Sequence, residues 1–429
     1  MIRNIIITII LCLNIFVLNG CNKPETQAIT LAVGGAPAEL VVWETIISEF
    51  TKKTGIKVEI NRQATDTDQR RHSLVISLRA KQSDPDVFLM DVAWIAQFAA
   101  AEWLAPLNSF TETQTFNINQ YFPNIIDLAD TYKEELIALP LYIDGGLLYY
   151  RKDLFAQYGI SKAPQTWTQL IEFSRHIQKN MREVYPDFYG FVWQGAQYEG
   201  LICNFIEYAV SNSGGIQIEN KQFKFNTKAN KEALQVMVDL IHTYKISPPN
   251  TYTEMKEEEV RMYFQKGLAL FERNWPYAWS LHQEANSPVK DKVGIAPLPH
   301  FINEASASTL GGWHVGISKY SDETEKSWIL VKYLTSFDVQ KKFALQLGWN
   351  PSHINVYKDS EVLSKLPHFK QLQDVFKNAI PRPNLPYYTA ISYVLQKHIN
   401  KILAKKTSIE AGLERAEKEV QRVIDQYEK

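Results

Sequence analysis

Charged side chains follow three predicted strands in the first hundred residues, at the points where those strands end. They are Glu39, Arg62 and Asp91. In a parallel, doubly wound sheet the carboxyl ends of the strands meet at one edge, and ligands bind beyond that edge. We therefore expect two carboxylates and one guanidinium to converge there, where they could exchange hydrogen bonds with a polar ligand.

Aromatic residues lie beside polar groups in turns farther along the chain. Among the 10 Trp, Trp275 lies in a turn after a predicted strand, and Trp313 follows Gly311 and Gly312, whose bare backbone lets a ligand come close. Sugars present apolar C–H faces and a rim of hydroxyl groups, so they need flat aromatic surfaces together with carboxylates, arginine or asparagine. The residues that match this requirement are Glu39, Arg62, Asp91, Asp144, Trp275, Trp313 and Arg382.

Motifs of several other chemistries are missing from the sequence. The nine histidines show no zinc-site spacing, no glycine-rich loop could hold a phosphate, and no G-x-S-x-G nucleophile motif occurs. The pairs Tyr149-Tyr150 and Tyr387-Tyr388 could ligate ferric ion, but strand alternation would point Tyr149 and Tyr150 to opposite faces. The 46 Lys+Arg and 47 Asp+Glu lack the basic excess of nucleic-acid-binding proteins. We expect no metal, no cofactor, no nucleic-acid partner and no enzymatic activity.

The order of predicted elements gives an α/β fold. At 429 residues the chain exceeds the size of one hydrophobic core, so at least two domains are expected. Between residues 28 and 103 strands and helices alternate as βαβαβ, which implies a parallel sheet. Farther on, residues 142–145 separate two predicted strands, at 136–141 and 146–150, and are a candidate crossing between domains. A polar loop at 300–309 precedes a short predicted strand at 316–317.

The first 20 residues are predicted to be a lipoprotein signal peptide. One cation, Arg3, precedes an apolar run that ends at Leu18 and is too short to cross a hydrocarbon core of about 30 Å. The end of this run resembles a bacterial lipoprotein signal, in which the Cys21 thiol receives diacylglycerol, although Asn19 stands where a small or apolar residue is usual. An uncleaved N-terminal anchor is the alternative. Residues 21–27 would form a polar tether.

Seven segments occur in one order along the rest of the chain. They are Pro85–Trp94 (PDVFLMDVAW), Ala138–Phe155, Pro164–Trp167 (PQTW), Tyr198–Leu201 (YEGL), Asn274–Pro276 (NWP), Leu310–Trp313 (LGGW) and Arg382-Pro383. Together they resemble the extracellular solute-binding proteins of bacterial ABC transporters, in particular the carbohydrate-binding family 1 branch that includes trehalose/maltose-binding proteins. The segments cover nearly the whole chain after the predicted signal peptide.

This resemblance implies a two-lobed periplasmic-binding-protein fold of type II, with a ligand cleft between the lobes and three hinge crossings. The N-terminal lobe would consist of residues 28–143 and 313–363, and the C-terminal lobe of residues 144–312 and 364–429.

The resemblance also implies a ligand-binding set. It consists of Glu39, Arg62, Asp91, Asp144, Trp275, Gly312, Trp313 and Arg382, with Trp193 and Glu199 as further candidates. Within this set, Glu39 and Asp91 would bind hydroxyl groups from the N-terminal lobe, Asp144 would lie at the first crossing, and Trp275 would stack on a sugar ring.

The implied function is that of a membrane-anchored binding component of an ABC importer. It would capture a sugar, most simply a disaccharide such as trehalose or maltose, by hinge closure and deliver it to the transmembrane subunits of a permease. The protein would be an exported monomer, lipid-anchored on the outer face of the cytoplasmic membrane. Two alternatives stay open. The same fold could bind a sugar phosphate, a glycerophosphodiester or a polyamine, or the chain could be an exported glycoside hydrolase that uses Asp91 and Asp144.

Overall fold

The computed structural model describes residues 28–35, 37–112, 116–370, 372, 375 and 379–429. The predicted signal peptide, the lipidation site at Cys21 and the tether to residue 27 lie outside the described residues. Within the described ranges, no helix combines the length and the apolar character that crossing a membrane requires.

Two mixed sheets, each covered by helices, organise this part of the chain. The strands are β1 (Ile29–Val33), β2 (Val58–Arg62), β3 (Val87–Asp91), β4 (Thr131–Tyr132), β5 (Glu135–Leu136), β6 (Leu139–Gly145), β7 (Leu147–Arg151), β8 (Tyr189–Val192), β9 (Gln217–Glu219), β10 (Gln222–Lys224), β11 (Ala269–Asn274), β12 (Val293–Ala296), β13 (Ser308–Ile317) and β14 (Ala379–Ile380). The helices are α1 (Pro37–Thr54), α2 (Thr67–Arg79), α3 (Ile95–Ala100), α4 (Asn108–Thr111), α5 (Pro123–Ile125), α6 (Lys152–Gln157), α7 (Trp167–Met181), α8 (Glu199–Val210), α9 (Lys228–His242), α10 (Glu257–Gln265), α11 (Ala278–His282), α12 (Thr324–Leu334), α13 (Phe337–Leu347), α14 (Ser360–Lys365), α15 (Tyr388–Leu403) and α16 (Ile409–Tyr427).

The N-terminal sheet has the strand order β2-β1-β3-β13, and both β6 and β14 also pair with β13. Its first three strands are parallel, so the predicted βαβαβ arrangement is confirmed. Strand β13 runs antiparallel to β3 and to β6, which places Trp313 opposite Asp91 on one side and opposite Tyr142 on the other. The C-terminal sheet has the order β12-β7-β11-β8, with β11 parallel to β8 and antiparallel to β7.

Continuous strands make two of the crossings between the sheets. Strand β6 runs through residues 142–145, which the sequence predicts to separate two strands, and β7 of the other sheet begins one residue later, after Gly146. Strand β13 starts at Ser308, inside the predicted polar loop. The predictions that the first strand ends before residue 142 and that only a short strand lies at 316–317 are therefore wrong. The physical reason is that β6 and β13 satisfy each other's backbone hydrogen bonds from Leu310 onward.

These crossings bear on how the chain divides into lobes. The predicted boundaries at 143/144 and 312/313 fall inside β6 and β13. In addition, Val356 and Val362 of the predicted N-terminal lobe belong to the same hydrophobic cluster as Tyr149 of the C-terminal sheet. The residue-by-residue division stays a prediction.

Helix α1 shows how local sequence builds the layer around the N-terminal sheet. Pro37 occupies its first position, where the missing N–H costs nothing. The helix ends before Gly55, whose φ of +75° suits glycine. Between these ends Trp43 and Phe50 are fully buried and pack in the cluster under the sheet. Because the helix begins shortly after β1 ends, its first turn lies at the edge of the sheet.

Candidate functional site

A cavity of about 330 Å³ lies between the two sheets and draws its walls from both. Eight of the ten residues singled out from the sequence line it: Glu39, Asp91, Asp144, Glu199, Trp275, Gly312, Trp313 and Arg382. Most of the residues predicted from the sequence therefore lie together at one cavity, and their role in binding stays a prediction. Further lining residues include Asp66, Arg70, Tyr142, Lys256, Glu257 and Trp349.

The structure does not bring Arg62 and Trp193 to the cavity. Arg62 ends β2, the edge strand of its sheet, where its side chain is 60% exposed and pairs with Glu44 on α1. Trp193 is fully buried in the core beside the C-terminal sheet, and its indole N–H donates to Ser247 Oγ at 3.0 Å. Both expectations are corrected for the same reason. Sequence position at the end of a strand does not determine which way a side chain points.

Arg70 on α2 lines the N-terminal wall and is a residue that the sequence analysis missed. Its Nε donates to Ala64 O at 2.5 Å and its Nη2 to Thr65 O at 3.3 Å. Burial lowers the pKa of the guanidinium, although nearby acidic groups oppose that effect. One signal was available, since Gly34 follows β1 and a Cβ there would lie 2.5 Å from Arg70 Nε. The glycine leaves room for the arginine.

Arg382 joins carboxylates from opposite walls of the cavity. Its Nη2 donates to Asp91 Oδ1 at 2.7 Å, and its Nη1 donates to Glu199 Oε1 at 3.1 Å. Asp91 ends β3, whereas Glu199 begins α8. Although burial alone would lower it, the two carboxylates hold the pKa of Arg382 well above its ordinary value. The guanidinium is therefore a fixed, charge-matched part of the cavity wall.

Glu199 is engaged on both oxygens within this network. Tyr388 donates its hydroxyl to Oε1 at 2.6 Å, next to the bond from Arg382, and Ser392 donates to Oε2. Within the described part of the chain, by contrast, the hydrogen bonds that Asp91 accepts, from Arg382 and from the Ala93 amide, both go to Oδ1. Oδ2 of Asp91 is thus the better placed acceptor for a ligand, and Glu199 is better described as a support for Arg382.

Asp144 lies near the end of β6 and is a buried carboxyl group. Burial, and then the charges of Glu39 and Asp91, raise its pKa to about 8. At neutral pH the group is mostly protonated, so it can donate a hydrogen bond as well as accept one. Glu39, in the first turn of α1, accepts a hydrogen bond from Trp349 Nε1 at 3.3 Å. The two acids offer different hydrogen-bonding capacities on one wall.

Trp275 is held at four points. Its backbone N–H donates to Asn274 Oδ1 at 2.8 Å, and the Tyr149 hydroxyl donates to its carbonyl at 2.8 Å. Its indole N–H donates to Glu257 Oε1 at 3.4 Å, and the Arg273 guanidinium lies over the ring, 4.0 Å from the centroid. The ring is therefore a rigid flat surface that lines the cavity.

Two glycines of β13 let the backbone pass close to these groups. A Cβ at Gly311 would lie 3.1 Å from Trp275 Cζ3. Gly312 has φ of +134°, and a Cβ there would lie 2.6 Å from the backbone oxygen of Tyr142. Both positions are restricted by contact, and Gly312 is restricted by its backbone conformation as well.

One ion pair at the cavity links the segments before α2 and α10. Asp66 caps α2 by accepting from the Gln69 amide at 3.0 Å, and its other oxygen pairs with Lys256. Burial alone would raise the pKa of Asp66, but its bonds with Lys256 and Gln69 hold it below the ordinary value. Lys256 also lies over the Tyr198 ring, 5.2 Å from the centroid. This pair connects elements that belong to different sheets.

The cavity can bind a polar ligand, and its wall has an acidic excess. Eight carboxylates line it: Glu39, Asp66, Asp91, Asp144, Glu199, Glu257, Glu258 and Glu259. The cations in the wall are Arg70, Lys256 and Arg382. Among the described residues, no group of three His, Cys, Asp or Glu side chains is arranged to hold a metal ion.

Comparisons with known proteins agree with this architecture. The model of a family described as "Bacterial extracellular solute-binding protein" matches residues 34–341. A "Probable ABC transporter-binding protein" of Deinococcus radiodurans is 35% identical over 378 residues, which cover 87% of this chain and 88% of the relative.

Two solved structures share the two-lobed arrangement. The maltose-bound MalE3 of T. maritima has a TM-score of 0.87 and 38% identity, covering 92% of this chain and 99% of that chain. An ABC transporter solute-binding protein of Thermotoga lettingae, bound with alpha-D-tagatose, has a TM-score of 0.83 and 27% identity, covering 93% and 100%. The expected type II fold is confirmed.

Proposed function

The chain belongs to the bacterial extracellular solute-binding proteins, and on this premise we propose that it is the sugar-binding component of an ABC importer. The observation that carries the proposal is the rigid Trp275 ring in a cavity whose wall is rich in carboxylates. An aromatic face complements the C–H face of a sugar, and carboxylates accept hydrogen bonds from its hydroxyl groups. The maltose-bound relative at 38% identity supports the same ligand class.

A disaccharide is the proposed cargo, with maltose and trehalose as the first candidates. The cavity volume of about 330 Å³ is at the small end of the range for ligand sites, about 300–1,000 Å³. In the proposed complex Trp275 stacks on one ring, while Glu39, Asp91 Oδ2 and Asp144 bind hydroxyl groups. Arg70 takes the donor role that the sequence had suggested for Arg62.

Binding is proposed to close the two lobes around the sugar. A ligand that contacts both walls stabilises the arrangement in which the walls are close, so closure follows from differential affinity. Arg382 already bridges Asp91 and Glu199 from opposite walls, and the Asp66–Lys256 pair adds a second link. The closed form would then dock on the permease.

The charge of the cavity favours some of the alternative ligands over others. Asp144 is mostly protonated at neutral pH, but the other acidic side chains of the wall still outnumber its three cations. They disfavour a sugar phosphate or a glycerophosphodiester, because an anion would add to the repulsion. A polyamine is the second candidate. Arginines in the wall would repel a polyamine, but Arg62 lies outside the cavity and Arg382 is matched by two carboxylates, which leaves Arg70 as the arginine that opposes this ligand.

We further propose that the protein acts as a lipid-anchored monomer on the outer face of the cytoplasmic membrane, held through Cys21. Two acyl chains suffice for stable anchoring, because each buried CH₂ contributes about 0.8 kcal/mol. Metabolic labelling with a radioactive fatty acid tests this part, with Cys21→Ser as the control. Label retained in Cys21→Ser would rule out acylation at this residue.

Thermal unfolding of the chain without its first 21 residues tests the ligand class. The panel contains maltose, trehalose, monosaccharides, sugar phosphates and polyamines. A ligand at a hundred times its Kd should raise the free energy of unfolding by about 2.7 kcal/mol, a shift of several degrees in Tm. A shift with one disaccharide supports sugar transport, and a shift only with a polyamine or a phosphoester overturns it. Chromatography of the incubated sugar checks for turnover, which would indicate a hydrolase.

A further inference from the structure

A buried carboxylate–histidine pair lies behind Trp275 and has no part in lining the cavity. Glu272 Oε2 and His282 Nε2 are 2.7 Å apart, and both side chains are fully buried. The His282 ring contacts the rings of Tyr149 and Phe264, with centroids 5.4 and 5.0 Å away. A carboxylate in such an apolar cluster costs free energy, and well-packed apolar residues would often stabilise the fold at least as well.

The other oxygen of Glu272 leads directly to Trp275. Asn274 Nδ2 donates to Glu272 Oε1 at 2.6 Å, and Asn274 Oδ1 accepts from the Trp275 backbone N–H at 2.8 Å. A carboxylate only accepts hydrogen bonds, so it favours the orientation of the Asn274 amide in which the NH₂ group faces Glu272. A longer bond from the same Nδ2 to the Glu257 carbonyl, at 3.2 Å, supports this orientation. The amide oxygen is then aimed at Trp275.

We infer that Glu272 and His282 are positioning residues, which fix the Asn274 amide and through it the Trp275 ring that receives the ligand. This inference rests on the proposed function only for the role of Trp275 in binding. His282 occupies one oxygen of Glu272, leaving the other to Asn274. The pair contributes to affinity without touching the ligand, because a ring already held in place loses less freedom on binding.

The first test does not need a ligand. The protein is labelled with 5-fluorotryptophan, and the Trp275 resonance in the ¹⁹F NMR spectrum is assigned by Trp275→Phe. In Glu272→Leu this resonance should shift or broaden, whereas Glu272→Gln, which keeps an acceptor for Asn274, should restore it in part. Asn230→Ala is the matched control, because Asn230 is equally buried but bonds to Gly215 and Phe225.

An unchanged Trp275 resonance in Glu272→Leu would overturn the inference. If that variant does not fold, His282→Phe keeps an aromatic ring in the cluster and removes the donor to Glu272. It should perturb the same resonance, and an unperturbed signal overturns the inference equally.

The second test is a double-mutant cycle on the Kd for maltose. Glu272→Leu should weaken binding by roughly tenfold in the wild-type background and have no further effect in the Trp275→Ala background. Full additivity of the two losses would contradict action through Trp275. If wild-type protein binds no sugar, the proposed function fails, while the fluorine resonance still decides the positioning role.

Discussion

The guanidinium of Arg70 lies over the indole ring of Trp313, with 4.5 Å between Arg70 Cζ and the ring centroid. Arg273 covers Trp275 in the same way on the opposite wall, at 4.0 Å. Two of the three tryptophans that line the cavity are therefore each backed by one arginine, a contact worth about 2 kcal/mol where water is excluded. The third, Trp349, stacks instead on Tyr142, with 4.1 Å between the ring centroids. The arginine contacts help to keep the Trp313 and Trp275 rings in place.

Replacing Arg70 should weaken sugar binding far more than replacing Arg62. Arg70→Met keeps a long apolar side chain over Trp313 but removes the donors, so the Kd for the bound sugar should rise at least tenfold. Arg62→Met is the control, because that side chain is 60% exposed and pairs with Glu44 outside the cavity. Titration calorimetry of both variants gives the answer. An equal rise in Kd in the two variants would mean that Arg70 contributes only to the stability of the fold.

The contrast between these two arginines shows where sequence analysis succeeds and where it ends. Strand order and the carboxyl-edge rule located Asp91, and a turn motif located Trp275, because local sequence determines both positions. Arg62 satisfied the same rule, yet it ends an edge strand and points to α1. Arg70 lies within a helix, and only the approach of α2 to Gly34 brings it to the cavity. The packing of α2 against the end of β1 places Arg70 at the cavity, and no local sequence pattern predicts that packing.

The crossings between the lobes show the same limit. The sequence predicts that residues 142–145 separate two strands, but β13 is a long antiparallel partner that extends β6 through them. Asp144 therefore lies within a strand. Burial, and then the charges of Glu39 and Asp91, raise the pKa of Asp144, and both of these residues are distant from it in sequence.

Asp144 should make stability fall as pH rises through neutrality. Its pKa is about 8 in the folded protein and about 3.9 in an unfolded chain. Between these values the folded state holds a proton that the unfolded state has released, so the free energy of unfolding decreases with pH. This one group contributes at most about 1.4 kcal/mol per pH unit. Above the folded pKa the effect levels off.

The comparison of wild type with Asp144→Asn isolates this contribution. Asparagine has the shape of the protonated acid but does not titrate, so the variant should lose less stability between about pH 5 and about pH 8. Urea unfolding at several pH values measures both curves, and the other titrating groups affect them alike. Parallel curves would show that Asp144 ionises in its ordinary range.

The Asp66–Lys256 pair should contribute to affinity in a salt-dependent way. It joins segments of different lobes, so its attraction favours the closed arrangement whichever sugar is bound. Lys256→Met should raise the Kd several-fold at low salt. At high salt the rise should be much smaller, because screening already weakens this partly exposed pair in the wild type. Lys418→Met removes an exposed pair with Glu414 within α16 and serves as the control. An equal effect from the two variants would argue against a role in closure.

Gly312 should be intolerant of any side chain, for two separable reasons. Its φ of +134° is unfavourable for other residues, and a Cβ would lie 2.6 Å from the backbone oxygen of Tyr142, which cannot rotate away. Gly159 provides the matched control, because it also has positive φ, +68°, but nothing lies within 4 Å of the added Cβ. Gly159→Ala should cost about 1 kcal/mol from backbone conformation alone. Gly312→Ala should cost about 2 kcal/mol more, since β13 must separate from β6 where both cross between the lobes.

Urea unfolding of the two variants measures the difference. Equal costs would mean that the crossing strands tolerate the displacement, whereas a larger loss in Gly312→Ala together with weaker sugar binding would show that one close backbone contact maintains both the crossing and the cavity.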